Sequence, residues 1–271
     1  MSDYADLPLF EQVRGTTPLL LNVPHAGTAL PDALRARLRP DALELRDTDW
    51  HMDAIARDVL PEGAGLLAAL PSRYVVDLNR PADDTPLYAG ATTGLVSTID
   101  FDGTPLYRPG QEPDAADRAA RLAAVWRPYH AALDAEIARL RAAHGYCLLL
   151  DVHSIRSRVP RLFEGRLPDL NLGTASGASC APALAQAAFA ALQASGLTAV
   201  RDGRFKGGHI TRHYGRPEQG VHALQIEIAQ ECYMREGPPW TLQPGPAARL
   251  RAALAGLVGV MSAFVPEADH R

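Results

Sequence analysis

Two apolar runs end in the same way, and together they constrain the fold more than anything else in the chain. Leu19 to Val23 reads Leu-Leu-Leu-Asn-Val and passes through Pro24 to His25, and Tyr146 to Val152 reads Tyr-Cys-Leu-Leu-Leu-Asp-Val and stops at His153 and Ser154. Short apolar runs bounded by turn or polar residues read as buried strands. In open α/β folds ligands sit beyond the carboxyl ends of the strands, so the two histidines are expected at one site. Two imidazoles plus a carboxylate make a zinc site with a position left open for water.

The rest of the chain alternates in the same sense. Gly65–Leu70, Tyr74–Asp77, Thr198–Arg201 and Leu224–Ile228 read as further strands, and Pro31–Leu38, Asp49–Val59, Pro182–Ala194 and Pro246–Phe264 as helices. Asp114–His144 is the clearest helical region: Leu122, Val125, Trp126, Tyr129, Leu133, Ile137 and Leu140 recur at helical spacing, and Pro128 should kink or restart it. Strands alternating with helices predict an α/β fold, one sheet covered on both faces, in a single domain over residues 1–271. Residues 81–113 are rich in Pro, Gly, Thr and Asp, too long a stretch for an ordinary connection, and read as a functional loop insertion. The stretches 156–179 and 207–215 also read as loops, the second opened by two glycines.

Composition excludes several classes of function. With a formal net charge of −4 and no basic patch, nucleic acid is not expected as a partner. No apolar stretch approaches the roughly 20 residues that span a bilayer, and the acidic start of the chain has no apolar signal core. The three cysteines, Cys147, Cys180 and Cys232, form no Cys-x-x-Cys pair. A disulfide framework or zinc ribbon is not expected, and the reading is a cytoplasmic protein.

Several residues beyond the two histidines carry chemistry. Asp151 and His153 lie two apart on a strand and so share a face, where Asp151 can orient the imidazole. The third ligand should be an acid from Arg46–Asp53, which offers Asp47, Asp49 and Asp53; the last two fall on one face if the segment is helical. Arg73, Asn79 and Arg80 flank a short predicted strand and suit an anion clamp. Glu227 interrupts an apolar strand, where an acid is costly without a role, and is the candidate general base; the alternative is a strand residue facing solvent. In the 207–215 loop His209, Arg212, His213 and Tyr214 are placed to close over a substrate, His209 first among them. Ser154 is discounted as a nucleophile because no Gly-x-Ser-x-Gly elbow surrounds it.

Taken in order, Val23–Gly27, Asp47–Asp53, Ser72–Arg80, Thr93–Leu95, Asp151–Ser154, Gly207–Arg212 and Gln225–Ile228 resemble the N-formylglutamate amidohydrolase family of bacterial histidine degradation. That family is similar to the zinc carboxypeptidase and aspartoacylase group, so the resemblance implies a three-layer α/β/α sandwich around a mixed central sheet. It also implies one zinc ion. The wider group carries a His-x-x-Glu pair, but Thr28 stands where that Glu would be. The acid must come from elsewhere, with Asp53 the first choice and Asp49 the second beside His25 and His153.

The activity implied is hydrolysis of N-formyl-L-glutamate to formate and L-glutamate. In that scheme Glu227 is the base, Arg73 serves the oxyanion, Asn79 and Arg80 hold the α-carboxylate, and His209 or Arg212 holds the side-chain carboxylate. The alternatives are another zinc hydrolase of N-acylamino acids or small peptides, and a non-catalytic binding protein on the same fold.

Overall fold

The computed structural model describes residues 4–87 and 92–267. Seven strands form one sheet: β1 (Phe10–Val13), β2 (Leu19–Val23), β3 (Gly65–Ala69), β4 (Cys147–Ile155), β5 (Leu170–Gly173), β6 (Ala199–Arg201) and β7 (Val221–Ala229), in the spatial order β1-β3-β2-β4-β7-β5-β6. The four central strands β3, β2, β4 and β7 are mutually parallel, while β1 joins β3 and β5 joins β7 antiparallel, so the sheet is mixed.

Side-chain alternation along the strands divides the core in two. Leu19, Leu21, Leu148, Leu150, Val152, Leu224, Ile226 and Ile228 face one layer, built from the helices α2 (Met52–Asp58), α5 (Pro182–Ala194) and α7 (Pro244–Ala263). Leu20, Leu67, Cys147, Leu149 and Ala223 face the other, built from α1 (Asp32–Arg37), α4 (Arg127–His144) and α6 (His209–Tyr214). This is the expected α/β/α sandwich, and it explains why β2, β3, β4 and β7 are buried throughout. Period-2 alternation also puts Asn22, Asp151, His153, Gln225 and Glu227 on the α4 and α6 side. They are polar residues on a face otherwise packed by Leu and Tyr, and they gather toward the carboxyl ends of adjacent strands.

Four local expectations change. Tyr74–Asp77 is not a strand: after β3 the chain makes two consecutive turns, Val75 N donating to Ser72 O at 2.8 Å and Arg80 N to Asp77 O at 3.2 Å. Asp49 is not helical, because α2 starts at Met52 after His51 takes a left-handed conformation at φ 66°. The 207–215 stretch is a six-residue helix, α6, rather than a loop, and the 156–179 stretch contains β5. The long helical region is interrupted as Pro128 required: α3 (Ala115–Arg121) passes through a π-helical segment, Leu122–Trp126, into α4, which carries Pro128 in its first turn. Residues 81–87 and 92–113 contain no helix or strand, yet Leu95, Val96, Leu106 and Tyr107 are buried against the α4 side. Among the described residues no helix is long and apolar enough to cross a membrane.

Candidate metal centre and its cleft

His25, two residues past the end of β2, and His153, near the carboxyl end of β4, come together with their rings 4.9 Å apart. Both turn the same nitrogen inward. His25 Nε2 is bonded to Asp77 Oδ1 at 2.8 Å and His153 Nε2 to Asp151 Oδ2 at 2.8 Å. Their Nδ1 atoms face Asp49 Oδ2, at 3.9 Å from His25 and 3.2 Å from His153. A carboxylate on the far nitrogen fixes tautomer and ring plane and makes the near nitrogen a better donor.

Asp49 is held in place by its neighbours. Its N–H donates to His25 O at 3.0 Å, and its Oδ2 accepts from Ser154 N at 3.1 Å. Tyr233 OH on Trp50 O at 2.8 Å and Gln230 Nε2 on Thr48 O at 2.9 Å brace the same turn. One donor atom each from His25, Asp49 and His153 lies within 4.8 Å of the others, and among the described residues no other group of His, Cys, Asp or Glu does this. His25 Nδ1 and Asp49 Oδ1 are buried without a hydrogen-bond partner. Orphaned polar atoms of this kind are costly unless something accepts their lone pairs. The donor set, two imidazoles and a carboxylate with supporting acids behind the rings, fits a divalent metal and zinc in particular.

Charge is unevenly distributed around the centre. Burial and the nearby Arg73 guanidinium lower the His25 pKa. For His153, burial works in the same direction, but the Asp151 and Asp49 carboxylates outweigh it and hold the ring well above its ordinary value. Glu227 lies opposite His153 in the β4–β7 register. Burial, reinforced by Asp49 and Asp151 and opposed by His153 and Arg73, pushes its carboxyl up to about 8. It is 7% exposed and lines the cleft, so the solvent-facing alternative does not hold. Gln225 Nε2 donates to Glu227 Oε2 at 3.3 Å, and Gln225 Oε1 accepts from Gly208 N at 2.7 Å.

The cleft above these groups encloses about 630 Å³, mouth included. Arg73, Arg80 and Arg204 line it together with Thr92, Thr93, Phe101, Leu162 and Phe205. Arg73 Nη2 donates to Asp77 Oδ2 at 2.6 Å and its guanidinium lies 4.6 Å from the centroid of the Phe101 ring, so it is rigid. Arg204 is anchored by Nε on Leu162 O at 2.8 Å. Three guanidinium groups over one acidic floor make a site for an anionic, polar ligand.

A model of a family described as N-formylglutamate amidohydrolase matches residues 17–234. The chain belongs to that family. Proteins named N-formylglutamate deformylase show the same likeness. The one from Pseudomonas aeruginosa is 54% identical over 252 residues, spanning 93% of this chain and 95% of that protein. The one from Pseudomonas putida is 48% identical over 262 residues, spanning 95% and 97%. A crystal structure of an N-formylglutamate amidohydrolase from Ralstonia eutropha shares the fold with a TM-score of 0.80 at 28% identity, covering 94% of this chain and 98% of its own.

The structure sorts the sequence candidates unevenly. His25, His153, Glu227, Arg73 and Arg80 come together as expected. Asp53 does not join the histidines. It sits in α2 and lines a separate depression with Gly27, Thr28 and Arg57, and Asp49 takes its place, because the helix that would have aligned the two acids starts three residues after Asp49. Asp47 accepts from Phe101 N at 2.9 Å and lies 3.8 Å from Arg156. Asn79 lines the cleft but is engaged inward: Nδ2 lies 2.9 Å from His153 Nε2, and Oδ1 accepts from Ile210 N at 2.8 Å.

His209 and Arg212 are not among the cleft residues. His209 packs in a ring cluster with Trp126, His130 and His213, and Arg212 donates to Gly207 O and Leu87 O. Ser154 Oγ lies 2.9 Å from Tyr233 OH, whose proton goes to Trp50 O, so the serine hydroxyl donates to the phenol oxygen and is engaged there rather than with an imidazole base. Sequence reasoning missed Arg204, Asp77 and Gln225. Asp77 stands between Arg73 and Asn79, where it orients His25 and holds Arg73; nothing in the sequence marks Arg204.

Proposed function

We propose that the protein hydrolyses N-formyl-L-glutamate to formate and L-glutamate, the place of this family in histidine degradation. What carries the reading is the pair of inward-facing Nδ1 atoms and the Asp49 carboxylate beside a buried acid, Glu227, in a chain 54% identical to a deformylase. His25, Asp49 and His153 would hold one divalent ion, zinc by the character of the donors. When bound, such an ion supplies Lewis acidity to the formyl carbonyl and makes water acidic enough to react near neutral pH.

The chain's own residues then divide the work. Glu227 takes the proton of the attacking water as the C–O bond forms. Arg73, held by Asp77 and Phe101, stands ready for the developing oxyanion. Glu227 returns the proton to the amide nitrogen as the C–N bond breaks, releasing formate and the amine. The substrate has two carboxylates. Arg80 is assigned to the α-carboxylate, and Arg204 replaces His209 and Arg212 for the side-chain carboxylate, with Phe205 and Leu162 against the methylenes. Three buried free cysteines fit a reducing, cytoplasmic setting.

The test is formate release by purified protein with metal analysis of the same sample. N-formylglutamate turnover that disappears with chelation and returns with zinc is expected. Faster turnover of N-acetylaspartate or N-succinylglutamate would transfer the reading to another acylamino-acid hydrolase. In Arg204→Met, KM should rise at least tenfold for N-formylglutamate and little for N-formylnorleucine, which lacks the second carboxylate. Equal changes for both would remove Arg204 from that role.

A further inference from the structure

Tyr129 lies in α4 with its side chain fully buried, and a buried phenol needs an acceptor. It donates to Asn22 Oδ1 at 2.6 Å. Asn22 Nδ2 donates to Asp151 Oδ1 at 2.7 Å, and Asp151 Oδ2 takes the bond from His153 Nε2 at 2.8 Å. Tyr129, Asn22 and Asp151 are 0% exposed and His153 3%, so no bulk water competes along the way. The chain of bonds spans three elements: α4, β2 and β4.

The chain has only one workable polarity. An ionised carboxylate only accepts, so Asn22 must turn its nitrogen to Asp151 and its oxygen to Tyr129, whose hydroxyl must then donate. Turned over, Asn22 would set its own oxygen against that of Asp151. With both Asp151 oxygens accepting, Oδ1 from Asn22 and Oδ2 from His153 Nε2 and from Asn79 Nδ2 at 3.4 Å, Nε2 of His153 carries a proton, and Nδ1 is left to face Asp49. Asn22 and Asp151 are also register partners on adjacent parallel strands, so the backbone ladder sets their separation. We propose that Tyr129 and Asn22 are positioning residues for the metal, holding Asp151 in the orientation that presents His153 Nδ1 to the ion. This rests on the reading of His153 as a ligand. The helix–sheet interface thereby contributes to metal affinity through residues that touch neither metal nor substrate.

A double-mutant cycle on zinc affinity, read by chelator competition, tests it. Tyr129→Phe removes one oxygen and leaves the core filled, so the protein should stay folded by urea titration. Zinc affinity should fall by about tenfold, the lower end of what outer partners of metal ligands contribute. In the Asp151→Asn background the same change should cost less than about twofold, because the route through the carboxylate is already broken. Wild-type zinc affinity in Tyr129→Phe overturns the proposal, as does an equal loss in both backgrounds, which would mean a general packing effect. His153→Ala keeps the two failures apart. If it retains stoichiometric zinc, the ligand reading itself has failed; if it loses zinc while Tyr129→Phe does not, only the relay has.

Discussion

At the scale of single residues, Asp49 and Asp53 are separated by one backbone event, the left-handed turn at His51 that delays the start of α2. Asp49 is buried between two imidazole nitrogens, its Oδ1 without a hydrogen bond and 3.9 Å from Arg73, while Asp53 belongs to a different depression. Asp49→Asn should therefore abolish stoichiometric zinc, and Asp53→Asn should leave it intact; metal content of the two purified variants decides, and the reverse order would restore Asp53. Glu227→Gln should keep zinc and lower kcat by ~10²–10⁴-fold, the usual contribution of a general base. The pH dependence has a definite sign. A carboxyl raised by burial accepts a proton only once ionised, so activity rises with pH through its pKa. That value is about 8 with the His153 and Arg73 charges already opposing burial, and a bound divalent ion lowers it further. The acid limb of the loaded enzyme should lie below 8 and vanish from the residual rate of Glu227→Gln; an unchanged acid limb would assign it to another group. His25, His153 and Glu227 were legible because each ends or interrupts an apolar strand. The choice between Asp49 and Asp53 was not, because it depends on one φ angle that no residue type dictates.

At the scale of elements, the short helix α6 works as a clamp. Its entry, Gly207–Gly208, passes so close to the 71–80 turns that a Cβ on Gly208 would lie 2.3 Å from Asn79 Nδ2. Asn79 in turn accepts from Ile210 N and lies against His153 Nε2, so the helix start and the candidate metal centre share one side chain. Gly208→Ala should displace Asn79 and lower kcat/KM at least tenfold, while a Gly256→Ala control, in a position open to solvent, should be neutral or slightly stabilising. Wild-type kinetics in Gly208→Ala would mean that Asn79 moves without consequence. This element was invisible in the sequence because six residues cannot display helical periodicity and two glycines read as a loop. Strands β1 and β5 were missed for related reasons: Phe10–Val13 is a largely exposed edge strand, and Leu170–Gly173 is four residues inside a Pro- and Gly-rich stretch. Conversely, Tyr74–Val76 has strand composition because it is buried, but its backbone is satisfied by turns. Apolar content reports burial, and only the pairing partner reports a strand.

At the scale of the whole molecule, the segment that carries Arg73, Asp77, Asn79 and Arg80 is tied to the helical layer through one buried cation. Arg121 is 0% exposed, and its Nη1 donates to the carbonyls of Tyr74 and Val75 and to Tyr107 OH at 2.9–3.2 Å. Its charge is met by Asp117, 2.7 Å away, which also accepts from Arg37 of α1 and from Tyr4 near the start of the chain. One carboxylate thus joins α3, α1 and the start of the chain, and Arg121 adds the 71–80 turns. Burial alone would raise its pKa, but the hydrogen bonds from Arg121 and Tyr4 and the Arg121 charge outweigh burial and lower it to about 2. Asp117→Ala strands a buried guanidinium, and losing one partner of such a pair typically costs about 3 kcal/mol. Urea unfolding at pH 7 should show that loss with an unchanged slope. A depressed carboxyl contributes stability above its unfolded value near ~4 and loses it as pH falls toward the folded value. The gap between wild type and variant should therefore be full at pH 7 and narrow between about pH 4 and 2. A gap that stays constant down to pH 2 would mean that Asp117 acts by packing and not by charge, and the pair would then not be what holds the 71–80 turns under the cleft.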